Sequence, residues 1–149
     1  GMAIVVEAAN KAGVKLKVAG SGPEMKKLKE LAGPTVEILG FISDQEKVNL
    51  MQRCRAFVFA AEEDFGIVPV EAMACGSPVI AYAKGGVAES VNADCGVLVA
   101  DQTSDAFAHC IQAFESLAFD HKKIRERAEE FSAERFVKEI KAFVEKTTI

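Results

Sequence analysis

Apolar and polar residues follow two different periods along this chain, and the two periods predict helices and strands in alternation. Residues 2–12 carry apolar side chains at helical spacing, and Gly13 follows as a helix stop. Val14–Ala19 alternates with period two, which is typical of a half-buried strand. Ala56–Ala60 is apolar throughout, so a strand buried on both faces is expected there.

The rest of the chain continues this alternation. Further strands are predicted at 36–39, 79–82 and 96–99, and further helices at 24–31, 44–53, 69–75, 104–116, 121–130 and 134–146. Ser43 and Glu46 have the spacing of a capping box, and Gly76 suits a helix C-terminus. The alternation favours an α/β fold, a three-layer, doubly wound parallel sheet of the Rossmann-like type, in one domain over residues 1–149.

Composition narrows the class of protein. Half of the residues are hydrophobic and 27% are charged, as in a packed domain rather than a disordered chain. The net charge of −4 disfavours nucleic acid as a partner, because phosphate binding needs a basic surface. No apolar run reaches the length of a membrane span, and the N-terminus lacks signal-peptide features. A cytoplasmic location is expected, with at most peripheral association with the inner face of the membrane.

The cysteines do not form a metal-binding pattern. Cys54, Cys75, Cys95 and Cys110 include no C-x2-C pair, so zinc or iron–sulfur ligation is not expected. Buried, reduced thiols are the simplest interpretation.

Candidate chemistry lies in four loops that follow predicted strands, at the edge where open parallel sheets bind ligands. The third loop places Glu63 and Glu71 eight positions apart, with Gly66 between them and Pro69 in the first helical turn. Gly66 lets a ligand approach the backbone, and free N–H groups at residues 66–68 suit a diphosphate. A carboxylate at Glu71 can accept hydrogen bonds from ribose hydroxyls. Taken singly, either acid also fits ordinary surface charge or a favourable helix-dipole interaction.

The segment 63–81, EDFGIVPVEAMACGSPVIA, resembles the Glu-x7-Glu signature of the retaining, nucleotide-sugar-dependent glycosyltransferases of family 4 (group 1), which have the GT-B fold. The resemblance implies that Glu63 faces the donor sugar and that Glu71 binds the ribose. It extends to 131–136, which is similar to the family's closing segment, although members often have Trp where Ala133 stands. The implied reaction transfers a hexose from a nucleotide donor to an acceptor hydroxyl with retained configuration.

The resemblance also implies a donor-binding set drawn from all four loops. Members commonly carry Gly-Gly-x-x-Glu beside the donor pocket, Gly-x-Gly-Pro near the nucleotide, and a second loop that contacts the nucleobase. Glu63 is therefore the expected catalytic residue. The expected donor-binding residues are Gly20, Gly22, Gly40, Phe41, Phe65, Gly66, Ile67, Val68, Glu71, Gly85, Gly86 and Glu89.

The residues themselves leave structural alternatives open for three of these loops. The first loop lacks the dinucleotide fingerprint, because Met25 occupies its third glycine position, and it serves equally well as a plain turn. Phe41 either stacks on a base or packs into the core. Gly85 and Gly86 either border the donor or form a simple glycine turn, with Glu89 as a helix-start acid.

The chain also departs from the family's pattern. The donor half of a member normally opens with a strand whose loop brings an Arg and a Lys to the diphosphate, and neither is found before Met2. We therefore expect the C-terminal half of a GT-B enzyme that lacks its first strand and its N-terminal acceptor domain, and that is inactive as an isolated chain. The expected partners are a nucleotide-sugar donor, that acceptor domain and a glycan or lipid-linked acceptor. No metal or other cofactor is expected.

Other functions stay open at this stage. They are a non-catalytic nucleotide-binding or regulatory domain, and a GT-B phosphorylase or epimerase. A dehydrogenase is disfavoured by the failed fingerprint. The sequence leaves the sugar and base open, and GDP-mannose and UDP-glucose are the donors that resembling enzymes of polysaccharide, lipopolysaccharide or glycolipid synthesis often use.

Overall fold

The computed structural model describes residues 1–147, which form eight helices and five strands. The strands are β1 (Leu16–Ala19), β2 (Val36–Gly40), β3 (Phe57–Phe59), β4 (Val79–Tyr82) and β5 (Gly96–Val99). The helices are α1 (Met2–Ala12), α2 (Met25–Leu31), α3 (Asp44–Arg53), α4 (Ile67–Ala74), α5 (Val87–Ser90), α6 (Ser104–Phe114), α7 (His121–Glu129) and α8 (Ala133–Thr147).

The described strands are all parallel and form two sheets. In the first sheet β1 pairs with β2, and Leu16 lies opposite Val36. In the second sheet the order is β3-β4-β5, with Phe57 opposite Val79 and Val79 opposite Gly96. Parallel neighbours need a crossover connection, which helices α2, α4 and α5 supply here.

Helices cover both faces of the three-stranded sheet. Along β4, successive side chains point to opposite faces, as the pleat of a strand requires. Ile80 and Tyr82 belong to a core that includes residues of α1 and α6, while Val79 and Ala81 belong to a core with residues of α4, α5 and α7. The predicted α/β fold, with parallel strands between two helical layers, is confirmed.

Helix α1 packs against both sheets. Val5 and Ala8 lie in the same core as Ile80 of β4. Val6 instead packs with Val18 of β1 and is fully buried. Among residues 1–147 no strand lies between β1 and β3, so α1 is an important connection between the two sheets.

The prediction that Ala56–Ala60 is a strand buried on both faces is wrong in two respects. The strand covers Phe57–Phe59, and all three residues are only half-buried. The reason is that β3 pairs with β4 along one edge, while the described residues provide no strand for its other edge.

Several element ends differ from the predicted ones. β1 begins at Leu16 rather than Val14, because the N–H of Val14 donates to the carbonyl of Ala9 at 3.3 Å and helps to close α1. α4 begins at Ile67, so Pro69 is its third residue rather than its first. Proline is still tolerated there, since the first turn has no intrahelical acceptor for its missing N–H. The short helix α5 was not among the predicted helices, although Glu89 lies in its first turn, as the alternative of a helix-start acid implied.

The cysteines are free thiols. Cys95 is buried, and the other three are half-buried. Burial raises the pKa of the Cys95 and Cys110 thiols, which favours the neutral, unreactive form. The prediction of buried, reduced thiols is thus confirmed for Cys95. The other three are free thiols but are only half-buried.

Helix α8 has an exposed apolar face. None of its described residues is buried, and Phe136, Val137, Ile140 and Phe143 are exposed at helical spacing. Within residues 1–147, no helix combines the length and apolar character needed to cross a bilayer.

Two Phe→Ala changes test this arrangement of the core. Phe107 of α6 is fully buried, whereas Phe136 of α8 is 66% exposed. We expect Phe107→Ala to lower the free energy of unfolding by about 3–5 kcal/mol, because it leaves a cavity. Phe136→Ala should change it by less than about 0.5 kcal/mol. Urea denaturation measures both, and equal losses would contradict the placement of α6.

Candidate functional site

The loops that follow β3 and β4 meet at the carboxyl edge of the three-stranded sheet. The N–H of Gly86 donates to the carbonyl of Glu63 at 2.9 Å. A Cβ atom on Gly86 would lie 2.6 Å from the Cα of Phe65, and one on Gly85 would overlap the Glu63 carbonyl oxygen. Gly85 also has a φ of +72°, a left-handed conformation that favours glycine. The two backbones can approach this closely because both positions are glycine.

This contact gives the predicted Gly85-Gly86 turn a definite structural role. The turn packs against the backbone of residues 63–65, so it fixes the loop that carries Glu63. Glu89 lies next to it in α5, with an exposed side chain. The donor contacts predicted for these three residues stay predictions.

An aromatic contact holds the same loop from the turn that follows α7. Phe65 and Phe131 meet edge to face, with ring centroids 6.1 Å apart. The guanidinium carbon of Arg127 lies 5.0 Å from the Phe131 centroid. Arg127 also donates to the carbonyls of Glu89 and Ser90, at 2.6 and 3.0 Å. Sequence reasoning missed Arg127, because nothing in the local pattern around residue 127 indicates partners so far away along the chain.

The first turn of α4 is only partly open to solvent, because Gly66 and Pro69 are buried while the two residues between them are exposed. Gly66 is the N-cap residue, with a φ of +79°, and no side chain caps the helix there. Ile67 is 64% exposed and Val68 is 40% exposed. The first N–H groups of a helix lack intrahelical acceptors and lie at the positive end of its dipole. An anion can therefore approach the exposed part of this turn, and the diphosphate contacts predicted for residues 66–68 stay predictions.

Glu71, one turn further along α4, is paired with Lys47 of α3. The Lys47 Nζ atom lies 3.3 Å from Oε1 and 3.2 Å from Oε2 of Glu71. A carboxylate oxygen of Asp44 is 3.7 Å from the same nitrogen. The hydrogen bond to Glu71, with the nearby negative charges, raises the pKa of Lys47, so the lysine stays charged. Sequence reasoning missed Lys47.

The loop that carries Glu63 is strongly acidic. Glu62, Glu63 and Asp64 are consecutive and exposed. Lys84 follows β4, and its Nζ atom lies 5.7 Å from the centroid of the Tyr82 ring. A hydrogen bond to Tyr82, followed by Coulombic attraction to Tyr82 and Glu62, raises the pKa of Lys84. Because the Glu63 side chain is exposed, its carboxylate can reach a ligand, but its acidic neighbours would repel an anion.

The loops that follow β1 and β2 meet each other at the edge of the two-stranded sheet. The N–H of Gly20 donates to the carbonyl of Gly40 at 2.7 Å. The next residue, Phe41, is 85% exposed, so the alternative that it packs into the core is wrong. An open cavity of about 270 Å³ is lined by Met2, Val18, Ala19, Gly20, Ser21, Gly22, Pro23, Glu24, Met25 and Leu28.

The N-terminus of α1 and the Lys47–Glu71 pair connect these two groups of loops. A Cβ atom on Gly1 would lie 2.6 Å from the carbonyl carbon of Ala60, so the start of α1 packs on the backbone at the end of β3. Met2 lines the cavity beside the first loop. Lys47 joins α3, which follows the second loop, to α4, which follows the third. The predicted residues therefore lie along one connected edge of the molecule.

A metal site is not evident in the part of the chain that the structure describes. No group of three or more His, Cys, Asp or Glu side chains is placed to hold an ion there. The expectation of chemistry without a metal stays a prediction.

Comparison with known proteins agrees with this fold and this motif. The family model described as "Glycosyl transferases group 1" matches residues 1–131. Because the match covers most of the chain, the chain belongs to the group 1 glycosyltransferase family. The predicted family membership is thus confirmed.

Two curated relatives are mannosyltransferases. The GDP-mannose-dependent alpha-(1-6)-phosphatidylinositol dimannoside mannosyltransferase of Mycobacterium tuberculosis is 34% identical over 126 residues, which are 81% of this chain and 33% of that protein. The alpha-1,3/1,6-mannosyltransferase ALG2 of Homo sapiens is 31% identical over 134 residues, which are 85% of this chain and 32% of that protein. The chain thus spans about a third of the length of these relatives.

Solved structures agree with the GT-B assignment. Sucrose-phosphate synthase from Thermosynechococcus elongatus is similar with a TM-score of 0.81 and 28% identity, over 98% of this chain and 42% of that one. A glycosyltransferase from Rickettsia africae has a TM-score of 0.81 and 25% identity, over 97% of this chain and 44% of that one. The predicted Rossmann-like fold of a GT-B half is confirmed.

A pair of Gly→Ala changes tests the support of the Glu63 loop. Gly86→Ala places a methyl group against the backbone of Phe65, whereas Gly22→Ala meets nothing within 4 Å. We expect Gly86→Ala to shift the amide resonances of residues 63–66 and to lower the melting temperature. Gly22→Ala should leave both unchanged. Unaltered resonances for residues 63–66 in Gly86→Ala would show that the loop does not depend on this contact.

Proposed function

We propose that this chain is the donor-binding domain of a retaining glycosyltransferase and binds a nucleotide-diphospho-sugar at the carboxyl edge of its sheets. The observation that supports the proposal best is the packing of the Gly85-Gly86 turn against residues 63–65. This packing holds the Glu63 loop, which leads directly into the partly exposed first turn of α4, and Glu71 lies one turn beyond. A group for the sugar, a site for an anion and an acceptor for hydroxyl groups thus follow one another along a single edge.

Each part of the donor has a candidate partner along this edge. The diphosphate would lie against the N–H groups of Gly66, Ile67 and Val68. The ribose hydroxyls would donate to Glu71, and the exposed ring of Phe41 would reach the base. The hexose would face Glu63, whose negative charge stabilises the positive charge that develops on a sugar ring in glycosyl transfer.

The departing diphosphate needs more positive charge than the described residues supply. The N-terminus of α4 provides part of it, and the neighbouring loop is acidic. We therefore place the remaining cations on a loop that enters α1 in the full-length protein. A strand before that loop would lie between β1 and β3 and would join the two sheets. An acceptor-binding domain would complete the enzyme, as the greater length of the relatives suggests.

The relatives support a choice of donor and setting. Both curated relatives named above are mannosyltransferases, and one of them is named as GDP-mannose-dependent. We propose a hexosyl donor, with GDP-mannose as the first candidate and UDP-glucose as the second. The acceptor would be a glycan or a lipid-linked glycan, in a cytoplasmic reaction without a bound metal.

Calorimetry of the full-length protein against GDP-mannose, UDP-glucose, an ADP-sugar and a CDP-sugar tests the donor site. One nucleotide should bind, and Glu71→Ala should weaken it by about 10–100-fold, because hydrogen bonds to a charged group are lost. The matched control is Glu126→Ala, which removes an exposed helical glutamate of α7. Unchanged affinity in Glu71→Ala, or no binding of any donor by the unsubstituted protein, would contradict the proposal.

Steady-state kinetics of the full-length enzyme test the role of Glu63. Glu63→Gln should lower kcat by about 10²-fold or more, since a charge that acts in the transition state is lost. Donor affinity should change little, and the control Glu62→Gln should keep normal kcat. Full activity in Glu63→Gln would exclude this residue from the chemistry. No transfer by the unsubstituted enzyme would favour a regulatory domain, and release of the sugar by inorganic phosphate would favour a phosphorylase.

A further inference from the structure

The ammonium group of Lys47 contacts both oxygens of the Glu71 carboxylate. The two distances are 3.3 and 3.2 Å, so the nitrogen lies nearly symmetrically between the oxygens. The Glu71 side chain is 40% exposed and that of Lys47 is 34% exposed. The pair is therefore accessible to solvent, and each carboxylate oxygen keeps a lone pair that another donor can use.

Lys47 is carried by a helix whose start is well defined. Ser43 and Glu46 form a complete capping box, in which the N–H of Ser43 donates to the Glu46 carboxylate at 2.8 Å. The N–H of Lys47 donates to the carbonyl of Ser43 at 2.9 Å, so Lys47 lies in the first full turn. The cap fixes the backbone position of Lys47 relative to the end of β2.

Glu71 needs such a partner if it is to bind two hydroxyl groups at once. A half-exposed glutamate samples several rotamers, and ordering it upon binding has an entropic cost. Its charge would also repel an anionic ligand at the first turn of α4, one turn away. A cation that contacts both carboxylate oxygens reduces both penalties.

We propose that Lys47 is a positioning residue for the donor, which holds the Glu71 carboxylate so that its two oxygens accept hydrogen bonds from the 2′- and 3′-hydroxyls of the ribose. This inference rests on the proposed function, because it assumes that Glu71 is the ribose acceptor. Lys47 acts through Glu71 and does not itself contact the nucleotide.

The test compares nucleoside diphosphates that differ only in their ribose hydroxyls. The full-length protein is titrated with the ribonucleoside diphosphate of its preferred donor and with the 2′-deoxy and 3′-deoxy forms. The unsubstituted protein should prefer the ribose form by about tenfold or more, the effect of losing a hydrogen bond to a charged group. In Lys47→Met that preference should fall to less than about threefold, which is the readout that a merely structural residue would not change.

Three further variants make the interpretation specific. Lys47→Arg keeps the charge and should restore part of the preference. Lys122→Met breaks an exposed lysine–glutamate pair of α7 and should leave the ribose preference unchanged. In a Glu71→Ala background, Lys47→Met should cause no additional loss of affinity, because the two residues act as one unit. An ion pair that is partly exposed to solvent contributes little to stability, so the variants should fold.

Each opposite result overturns a different claim. If Lys47→Met retains the full ribose preference, Lys47 does not position Glu71. If Lys47→Met still weakens binding when Glu71 is absent, Lys47 contacts the nucleotide directly and the positioning role is wrong. If the unsubstituted protein shows no ribose preference, the proposed role of Glu71 fails, and the inference about Lys47 fails with it.

Discussion

The burial of helix α1 against both sheets is the interaction on which the arrangement of the loops depends. Val5 and Ala8 pack into the core beneath β4, and Val6 packs on β1 from the same helix. Gly1 lies against the backbone of Ala60, at the carboxyl end of β3. The described β1 and β3 do not pair. This apolar contact therefore sets where the loops that follow β1 and β2 lie relative to the acidic loop of residues 62–64.

The acidic loop itself is fixed by backbone contacts rather than by side-chain chemistry. The Gly85-Gly86 turn packs directly against the backbone of residues 63–65, and the ring of Phe131 contacts the ring of Phe65. A functional group is effective when rigid neighbours hold its position. In this chain close packing determines where the Glu63 loop lies, while the charges of the loop determine what it can bind.

Sequence reasoning was most successful where the signal is local. The helical period of residues 2–12 and the capping box of Ser43 and Glu46 were predicted correctly, because each depends on neighbours within one turn. The half-burial of β3 was missed, because an apolar run does not show how many neighbouring strands will pair with it. The contacts of Arg127 and Lys47 were missed because their partners lie 37 and 24 positions away along the chain. The family motif pointed to Glu71 but did not reveal what orients it.

A crystal structure of the full-length protein with its preferred nucleoside diphosphate bound would test the central claim most directly. The account predicts the diphosphate at the N–H groups of residues 66–68 and the ribose hydroxyls within hydrogen-bond distance of the Glu71 carboxylate. A nucleotide bound elsewhere, for example in the open apolar groove formed by residues 96–98 and 117–119, would contradict the account. A nucleotide at the expected edge with its ribose turned away from Glu71 would contradict it as well.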